Sequence, residues 1–572
     1  MSRFWADLYP YLRAQGWRYL TAFVLGLLGI AGTLAIPYFL RLTIDSLTTG
    51  EPWQIYPVYL LGAALWAGLL AWAERQLSMG ASRRLEYHLR ADLLSHLLSL
   101  DSTYFQGARV GDLMNRLSTD LSAVREAVGP AIAMSYRLGF LVLFSLLAMF
   151  LVEWPLALAV TAVVPVIFLI VQKLARLVDQ RWNDAQQVFD QISAQAQENF
   201  SGIRVVKGFA IEDREQERFE SLNQSYIEKM LLLARVDGPL FALMSLMTGI
   251  ISVVVLALGG SWVIRGTMSL GELVQFNAYV LQLSWPLLGL GFVVSMFQRA
   301  ITSWNRIAEL LAVRAKIQSP SNPEQPSGSE LDFQTVSLHR GGRPILDQIS
   351  LRIPAGSTLG ITGETGSGKT TLISLVPRLL DPDSGSVLLG GVDLRQIALA
   401  ELRRRVALVP QEPFLFSESI AENIAFGLSD LDPERVQWAA ELAGIAGDIE
   451  GFPMGYQTML GERGVTLSGG QRQRVALARA LAIQPEILIL DDAMSAVDTE
   501  TEARILSGLK QVLGQQTTLL ISHRTSTLRY ADWIVVLRDG RLIEEGTHES
   551  LLAAGGYYAE LDRRQRLEAE LS

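Results

Sequence analysis

The fold of the C-terminal half is decided by the stretch Thr358-Leu-Gly-Ile-Thr-Gly-Glu-Thr-Gly-Ser-Gly-Lys-Thr370. Its first five residues are mostly apolar or β-branched and predict a strand, and a helix is predicted over Lys369–Leu380. The glycine-rich loop between them lets backbone N–H groups point at phosphate oxygens, and the helix N-terminus adds positive partial charge. A chance glycine-rich turn would lack this strand–loop–helix context. The stretch therefore predicts an α/β domain with a phosphate-binding loop.

The side chains of this loop predict ATP and Mg²⁺ as its ligands. Lys369 places a point charge near the β- and γ-phosphates, and the hydroxyl of Thr370 is a candidate Mg²⁺ ligand. The predicted ATP-binding residues of the loop are Gly363, Glu364, Thr365, Gly366, Ser367, Gly368, Lys369, Thr370 and Thr371.

A second buried strand is predicted at Leu488-Ile-Leu-Asp491, and it ends in two carboxylates. Asp491 is placed to hold Mg²⁺ at the carboxyl edge of the sheet. The next residue, Asp492, stands where a carboxylate reaches the attacking water, and it is one methylene shorter than Glu. Because a misplacement of about 1 Å costs roughly 10²-fold in rate, we expect this site to hydrolyse ATP slowly. The alternative is that a backbone adjustment restores the reach of Asp492.

The composition divides the chain into a membrane part and a soluble part. The 572 residues are 49% hydrophobic and 19% charged, and apolar runs of membrane length occur only before about residue 300. There is no cysteine, which excludes disulfides and thiolate metal sites and fits a reducing compartment. The net charge of -9 argues against broad nucleic-acid binding.

A bilayer needs roughly 20 mainly apolar residues per helix, and six stretches in the N-terminal half meet this requirement. They are residues 19–43, 57–78, 131–152, 154–174, 240–264 and 273–297. Any one of them could be a buried core helix, but six in one half of the chain favour a membrane domain.

Basic residues fix the predicted orientation of these spans. They concentrate in the long loops after spans 2 and 4, whereas the short loops contain Arg265 alone. Positive loops stay cytoplasmic, so we expect a multi-pass protein of the cytoplasmic (inner) membrane with both termini and the ATP-binding domain inside. The first 16 residues predict an amphipathic elbow helix along the inner surface.

The long loops themselves are predicted to be mainly helical, with a break in each. Apolar periodicity extends over Tyr87–Leu100 and Asn183–Phe200, and the breaks are predicted at Asp101–Gly111 and Phe209–Arg214. Short helices at the breaks could touch the soluble domain, and solvated turns are the alternative.

Four segments follow from these patterns. They are an elbow helix at 1–16, a transmembrane domain at 17–313, a linker at 314–329 and an ATP-binding domain at 330–572. The linker contains Ser319-Pro-Ser-Asn-Pro-Glu-Gln-Pro-Ser-Gly328, which predicts an extended, flexible segment.

These motifs, in this order behind six spans, resemble an ATP-binding cassette (ABC) exporter of the half-transporter type. The resemblance covers nearly the whole chain and includes Asp101-Ser-Thr-Tyr-Phe-Gln106, Gly111-Asp-Leu-Met-Asn-Arg116 and Glu198-Asn-Phe-Ser-Gly-Ile-Arg-Val-Val-Lys207. It implies a type I exporter fold, namely an all-α six-helix transmembrane domain fused to an α/β P-loop nucleotide-binding domain. It also implies that the cytoplasmic loops carry coupling helices.

The resemblance assigns further site residues by position. Gln411 matches a glutamine that senses Mg²⁺ and water, and His523 matches the switch histidine that touches the γ-phosphate. Asp498 matches a loop residue at the dimer seam, and Thr458–Gly464 matches a segment that links to the coupling helices. The implied catalytic residues are Asp492, His523 and Gln411, and the implied metal ligands are Thr370, Gln411 and Asp491. The implied signature, which clamps ATP on the opposite subunit, is Leu467, Ser468, Gly469, Gly470 and Gln471.

Two residues depart from the family pattern. Asp492 replaces the usual glutamate, and Arg340 stands where an aromatic normally stacks on adenine. Arg340 is nevertheless a predicted ATP-binding residue, because it could stack through its guanidinium plane, as could His339 if the register slips. The alternative is an ordinary exposed strand end. Together with an intact signature, these departures resemble the degenerate-site subunit of a heterodimeric exporter. His523 argues in the other direction, because degenerate sites often lose this residue.

The predicted function is ATP-driven export of an amphipathic or lipophilic compound, a drug, lipid or peptide, in partnership with a second half-transporter. A heterodimer is favoured over a homodimer. The predicted partners also include membrane lipid and exclude nucleic acid. The alternatives are a homodimeric exporter or lipid flippase with slow ATPase, and a regulatory or gating membrane protein whose ATP binding sets its conformation.

Overall fold

The computed structural model describes residues 2–461, 464, 467–512 and 516–571. It contains two compact units. The first comprises Met1–Leu98 and Arg109–Val313, and the second comprises Ser99–Ala108 and Arg314–Ser572. The second unit therefore includes a short segment of the first long loop as well as the C-terminal domain.

The N-terminal part of the chain is helical throughout. Its α-helices are α1 (Ser2–Ala14), α2 (Gly16–Thr49), α3 (Tyr56–Ser99), α4 (Ser102–Gly107), α5 (Val110–Asn115), α6 (Leu121–Glu126), α7 (Ile132–Val152), α8 (Trp154–Ser201), α9 (Ile203–Gly208), α10 (Glu212–Ile264) and α11 (Leu270–Leu311). Two π-helical turns, Arg116–Asp120 and Ala127–Ala131, lie between α5 and α7. Of these helices, α4 belongs to the second unit.

Helices extend over all six apolar stretches. Within the described residues, four helical segments are long and apolar enough to cross a membrane: Gly16–Thr49, Tyr56–Ser99, Val110–Val152 and Ser245–Ile264. The fourth and sixth predicted spans lie inside α8 and α11, where only part of the side chains is described. The number of six spans therefore stays a prediction.

The breaks in the long loops are present. The first loop has short helix α4 between α3 and α5, and the second has α9 between α8 and α10. In the second loop the chain already leaves the helix at Gly202, earlier than the predicted break at Phe209–Arg214. Gly202 ends α8 and also precedes the first residue of α9.

The ends of α2 and α11 are joined by a polar network. Ser269 caps α11 in a reciprocal capping box with Glu272. Asp45 of α2 accepts hydrogen bonds from Ser269 Oγ at 3.0 Å and from the Gly271 N–H at 2.9 Å. Arg41 completes the network through an ion pair with Glu272.

The second unit is α/β. Its strands are β1 (Leu331–Arg340), β2 (Arg343–Ile353), β3 (Thr358–Gly363), β4 (Ser384–Leu389), β5 (Val392–Asp393), β6 (Val406–Val409), β7 (Ile487–Asp491), β8 (Thr517–Ile521), β9 (Trp533–Arg538) and β10 (Arg541–Gly546). Its remaining α-helices are α12 (Lys369–Ser374), α13 (Leu399–Arg405), α14 (Ile420–Ile424), α15 (Pro433–Leu442), α16 (Ala446–Glu450), α17 (Gly469–Ala482), α18 (Thr499–Val512), α19 (Thr525–Leu528), α20 (His548–Ala554) and α21 (Tyr557–Leu571).

The strands form two sheets. A four-stranded antiparallel sheet has the order β2-β1-β4-β5, and a six-stranded sheet has the order β10-β9-β3-β8-β7-β6. In the second sheet, β9, β3, β8, β7 and β6 run parallel to one another, and β10 pairs antiparallel with β9. Because both faces of β7 are covered, all five residues of Ile487–Asp491 are buried, as its unbroken apolar run predicts.

Two details differ from the predictions for this unit. Helix α12 ends at Ser374 instead of Leu380, and the chain then turns through Arg378, whose φ is +52°. The linker is extended but not free. Arg405 donates to the carbonyls of Pro326 and Gly328, and the Glu324 N–H donates to the Gln396 carbonyl. These hydrogen bonds to backbone groups hold the segment against the domain, whereas its composition predicted an extended and flexible segment.

Candidate nucleotide-binding and hydrolysis site

Four neighbouring parallel strands deliver the predicted site residues to one edge of the sheet. The phosphate loop follows β3, His523 follows β8, Asp491 ends β7 and Gln411 follows β6. Parallel strands place their carboxyl ends side by side, and ligands of open α/β sheets bind at this edge. Residues far apart in sequence are therefore gathered by strand order alone.

The phosphate loop is shaped around the Lys369 ammonium. Its Nζ donates to the carbonyls of Gly363 at 3.0 Å and Glu364 at 2.8 Å, and the residue is 8% exposed. Burial lowers the pKa of Lys369, whereas the negative charges of Asp491 and Asp492 act to raise it. The loop therefore holds a cation at its centre.

Two further features of the loop fit a phosphate group. The Ser367 hydroxyl is buried and has no hydrogen-bond partner among the described residues. Gly368 has a φ of +101°, and a Cβ there would lie 2.6 Å from the Ile345 carbonyl oxygen. A side chain at this position would displace the start of α12, so glycine is required for the loop conformation.

The predicted metal ligands Thr370 and Asp491 are in direct contact. Thr370 Oγ1 donates to Asp491 Oδ2 at 2.9 Å. Burial raises the pKa of Asp491, and the nearby charge of Asp492 acts in the same direction. A partly buried carboxylate pair beside a hydroxyl is a donor set of the kind that Mg²⁺ binds together with phosphate oxygens. Thr370 and Asp491 are thus the residues that would hold the ion, and it would neutralise negative charge on the phosphates.

Gln411 and Asp492 also come together. Gln411 Nε2 lies 3.4 Å from Asp492 Oδ2. The backbone of Asp492 has a φ of +46°, and its N–H donates to the Ile521 carbonyl. Left-handed backbone costs roughly 1–2 kcal/mol for most residues, and Asp adopts it more readily than Glu. No sequence pattern indicated this conformation.

His523 lies within electrostatic reach of the same cluster. Burial lowers the pKa of its imidazole, and the positive charge of Lys369 lowers it further, whereas Asp492 and Asp491 oppose the shift. The imidazole is therefore neutral at neutral pH. In this form it offers one N–H donor to an oxygen in the site.

The signature forms the start of α17, which begins at Gly469. Ser468 caps the helix, and its Oγ accepts from the Gln471 N–H while the Gln471 side chain accepts from the Ser468 N–H. A Cβ on Gly470 would lie 2.7 Å from the Ala496 carbonyl oxygen. The signature thus contacts the Ser495–Asp498 loop, and no hydrogen bond joins it to the phosphate loop within the described residues.

Asp498, the predicted seam residue, caps α18 within this chain. Its Oδ1 accepts from the Thr501 N–H at 2.8 Å, and this hydrogen bond lowers the pKa of the carboxyl. The neighbouring Thr458–Gly464 segment is described only in part, because residues 462 and 463 lie outside the described residues.

Two residues that connect the site were missed by sequence reasoning. Gln473, 5% exposed, donates to Ser495 Oγ at 3.0 Å and accepts from the Ala496 N–H at 2.9 Å. Arg524 donates to the carbonyls of Ser495 and Val497. Their partners are distant in sequence, so no local pattern could have revealed them.

Arg340 lies at the tip of the β1–β2 hairpin. Its guanidinium donates to Gln106 Oε1 of α4 at 2.6 Å. Nearby, Ser102 of α4 donates to the Leu379 carbonyl, and Asp101 accepts from the N–H groups of Lys316 and Ile317. The residue predicted to stack on adenine therefore joins the hairpin to the first short loop helix.

Comparison with known proteins decides the family. Residues 19–287 match the ABC transporter transmembrane region, and residues 346–495 match the ABC transporter ATP-binding region. The multidrug resistance-like ATP-binding protein MdlA of Escherichia coli is 34% identical, over 100% of this chain and 98% of that protein. The chain belongs to the ABC transporter family. With one transmembrane region and one ATP-binding domain, it is a half-transporter.

Other relatives of this half-transporter carry different descriptions. An ATP-dependent lipid A-core flippase of Aromatoleum aromaticum is 36% identical over 89% of this chain and 85% of that protein. A bacterial Atm1-family ABC exporter with ATP bound is 28% identical, with a TM-score of 0.80 over 97% of this chain and 99% of that chain. The predicted fold class, a helical transmembrane domain of the ABC exporter type fused to an α/β nucleotide-binding domain, is confirmed.

Proposed function

We propose that this chain is one subunit of an ATP-driven exporter of amphipathic or lipophilic compounds in the cytoplasmic membrane. The observation that best supports this proposal is that one domain has two separate sites whose geometry suits phosphate binding. The loop around Lys369 is one, and the Ser468-capped start of α17 is the other. Two domains facing head to tail would bring each loop opposite the partner's signature and enclose two ATP molecules.

Relatives support the class of transported compound. Proteins described as multidrug resistance-like and as lipid A-core flippases share this chain's full-length organisation. We therefore assign drug-like or lipid-like molecules as the substrate class.

The second part of the proposal concerns the partner. Asp492 limits hydrolysis at this chain's own loop, whereas its signature has the capped geometry needed to serve another subunit's ATP. A heterodimer with a Glu-bearing half-transporter accounts for both features. Binding of two ATP molecules would close the two domains, and hydrolysis at the partner's loop would reset them.

The test is transport in inverted membrane vesicles. Vesicles that contain the chain with a co-expressed half-transporter should accumulate an amphipathic fluorescent dye only with ATP. Lys369→Ala should abolish accumulation, and Arg564→Ala, on the exposed face of α21, should leave it unchanged. ATP-dependent conformational change without accumulation of any tested dye or lipid analogue would favour the regulatory alternative.

A further inference from the structure

The side chain of Gln565, on the C-terminal helix, binds the peptide segment His523-Arg524-Thr525 at both of its ends. Gln565 Nε2 donates to the His523 carbonyl oxygen at 2.6 Å, and Gln565 Oε1 accepts from the Thr525 N–H at 2.9 Å. The side-chain amide of Gln565 thus pairs with the backbone acceptor before Arg524 and with the backbone donor after it, as a neighbouring β-strand would. This arrangement fixes the backbone that carries the His523 imidazole.

A second contact from α21 supports the first. Thr525 is 5% exposed, and its hydroxyl lies 2.9 Å from Asp562 Oδ1 and 3.1 Å from Gln565 Oε1. Asp562 is itself 7% exposed and paired with Arg566. The residue after Arg524 is therefore anchored through both its backbone and its side chain.

The start of α21 is fixed in the domain core. Tyr558 is fully buried in a cluster with Leu528 and Ile534, and its hydroxyl lies 2.8 Å from His548 Nδ1. Glu544 of β10 accepts hydrogen bonds from the N–H groups of Tyr557 and Tyr558. Gln565 projects about two turns further along this anchored helix.

The opposite side of the segment is tied to the Ser495–Asp498 loop. Arg524 donates to Glu502 Oε2 at 2.9 Å and to the Ser495 carbonyl at 3.0 Å. The segment therefore lies between two fixed supports, α21 on one side and the loop on the other. Small displacements of α21 would be transmitted to His523 because the segment has little freedom to absorb them.

We propose that Gln565 is a positioning residue for His523, and that the C-terminal helix sets the histidine's place in the hydrolytic site. This proposal rests on the proposed ATPase function and on the role that the family resemblance implies for His523. Gln565 does not touch nucleotide in this account. It acts by holding the carbonyl of His523, and a misplacement of about 1 Å of a catalytic group is enough to lower the rate strongly.

The first experiment measures steady-state ATP hydrolysis by the purified full-length chain. Gln565→Leu removes all three hydrogen bonds of this side chain and should lower kcat about tenfold with little change in KM for ATP. Arg564→Ala is the matched control on the same helix, since its side chain is 69% exposed, and its kcat should equal that of the wild type. An unchanged kcat for Gln565→Leu would overturn the proposal.

The pH dependence of kcat distinguishes a positioning role of Gln565 from a general contribution to the stability of the fold. Gln565→Glu keeps an acceptor for Thr525 but, when ionised, loses the donor to the His523 carbonyl. Protonation restores an O–H donor, so kcat of Gln565→Glu relative to the wild type should rise as pH falls. A ratio that is constant with pH, or that falls toward acid, would contradict the proposal.

His523→Ala distinguishes failure of the inference from failure of the proposed site. If His523→Ala lowers kcat and Gln565→Leu does not, only the positioning role is wrong. If His523→Ala leaves kcat unchanged, the role proposed for the histidine is wrong and the inference fails with it. The double variant should lose no more activity than His523→Ala alone, because both changes act through one group.

Discussion

Gln411 Nε2 lies 3.4 Å from Asp492 Oδ2, at the carboxyl edge shared by β6 and β7. The two residues are 81 positions apart in sequence. Their approach joins the glutamine after β6 to the carboxylate that would face the attacking water. We therefore expect the rate of ATP hydrolysis at this site to depend on how far the Asp492 side chain can reach.

Replacement of Asp492 by Glu should raise hydrolysis at this site. The longer side chain supplies the missing methylene, and the gain could approach roughly 10²-fold if reach is the whole defect. The left-handed φ of +46° opposes the change by about 1 kcal/mol. The measurement is single-turnover hydrolysis together with thermal unfolding of the full-length chain.

Asp539 offers a matched control for the backbone cost. It has a φ of +48° and lies in the β9–β10 turn at the same edge of the sheet, and its side chain forms no hydrogen bond or ion pair within the described residues. Asp539→Glu should lower the unfolding temperature to a similar extent without changing hydrolysis. A rate for Asp492→Glu no higher than that of the wild type would show that side-chain length is not the limitation.

Substitutions in the signature and at Asp492 should lower the ATPase activity of the proposed heterodimer to different extents. Ser468→Arg or Gly469→Asp should remove most activity of the assembled exporter, because the signature serves the competent site. Asp492→Ala should change that activity far less. Turnover of the co-purified heterodimer measures both effects, and equal losses would mean that the sites are not specialised.

As the pH is lowered, Mg²⁺-dependent ATP binding should begin to weaken at a higher pH than it would with an aspartate of ordinary pKa. Burial raises the pKa of Asp491, so its carboxyl keeps a proton up to a higher pH, whereas metal binding needs the ionised form. Below that pKa, affinity should fall by up to about tenfold per pH unit. Titration of Mg²⁺-ATP at several pH values tests this, and Asp491→Asn should bind with no such pH dependence.

Arg340→Tyr should strengthen nucleotide binding. Aromatic stacking on a base contributes about 1–3 kcal/mol, whereas the Arg340 guanidinium is engaged with Gln106. For the same reason, Arg340→Ala should leave the ATP affinity within about twofold of the wild type. Binding of a fluorescent ATP analogue measures both variants. A large loss of affinity in Arg340→Ala would show that the arginine itself stacks on adenine.

The sequence predicted most of the site because strand order and motif chemistry suffice to assemble it. Lys369, Thr370 and Asp491 lie together because the chain places each at the end of a parallel strand or the start of the helix that follows one. Strong local patterns therefore specified these positions.

What the sequence did not reveal depends on contacts between distant residues. Gln473 and Gln565 stabilise loops far from them in sequence, so neither belongs to a recognisable local pattern. After the early end of α12, Arg378 takes a positive φ, and its guanidinium donates to the Gln318 carbonyl, 60 positions away in sequence. Tertiary hydrogen bonds and charges override helix propensity at this point.

The central claim, that this chain binds ATP but cleaves it slowly, is tested most directly by nucleotide trapping. Labelled ATP is bound to the heterodimer, and cross-linking shows which subunit's phosphate loop holds each nucleotide. The account predicts intact ATP retained at the site built from Lys369, Thr370, Asp491 and Asp492 while the partner's site turns over. ADP at this site, formed as fast as at the partner's, would contradict the claim.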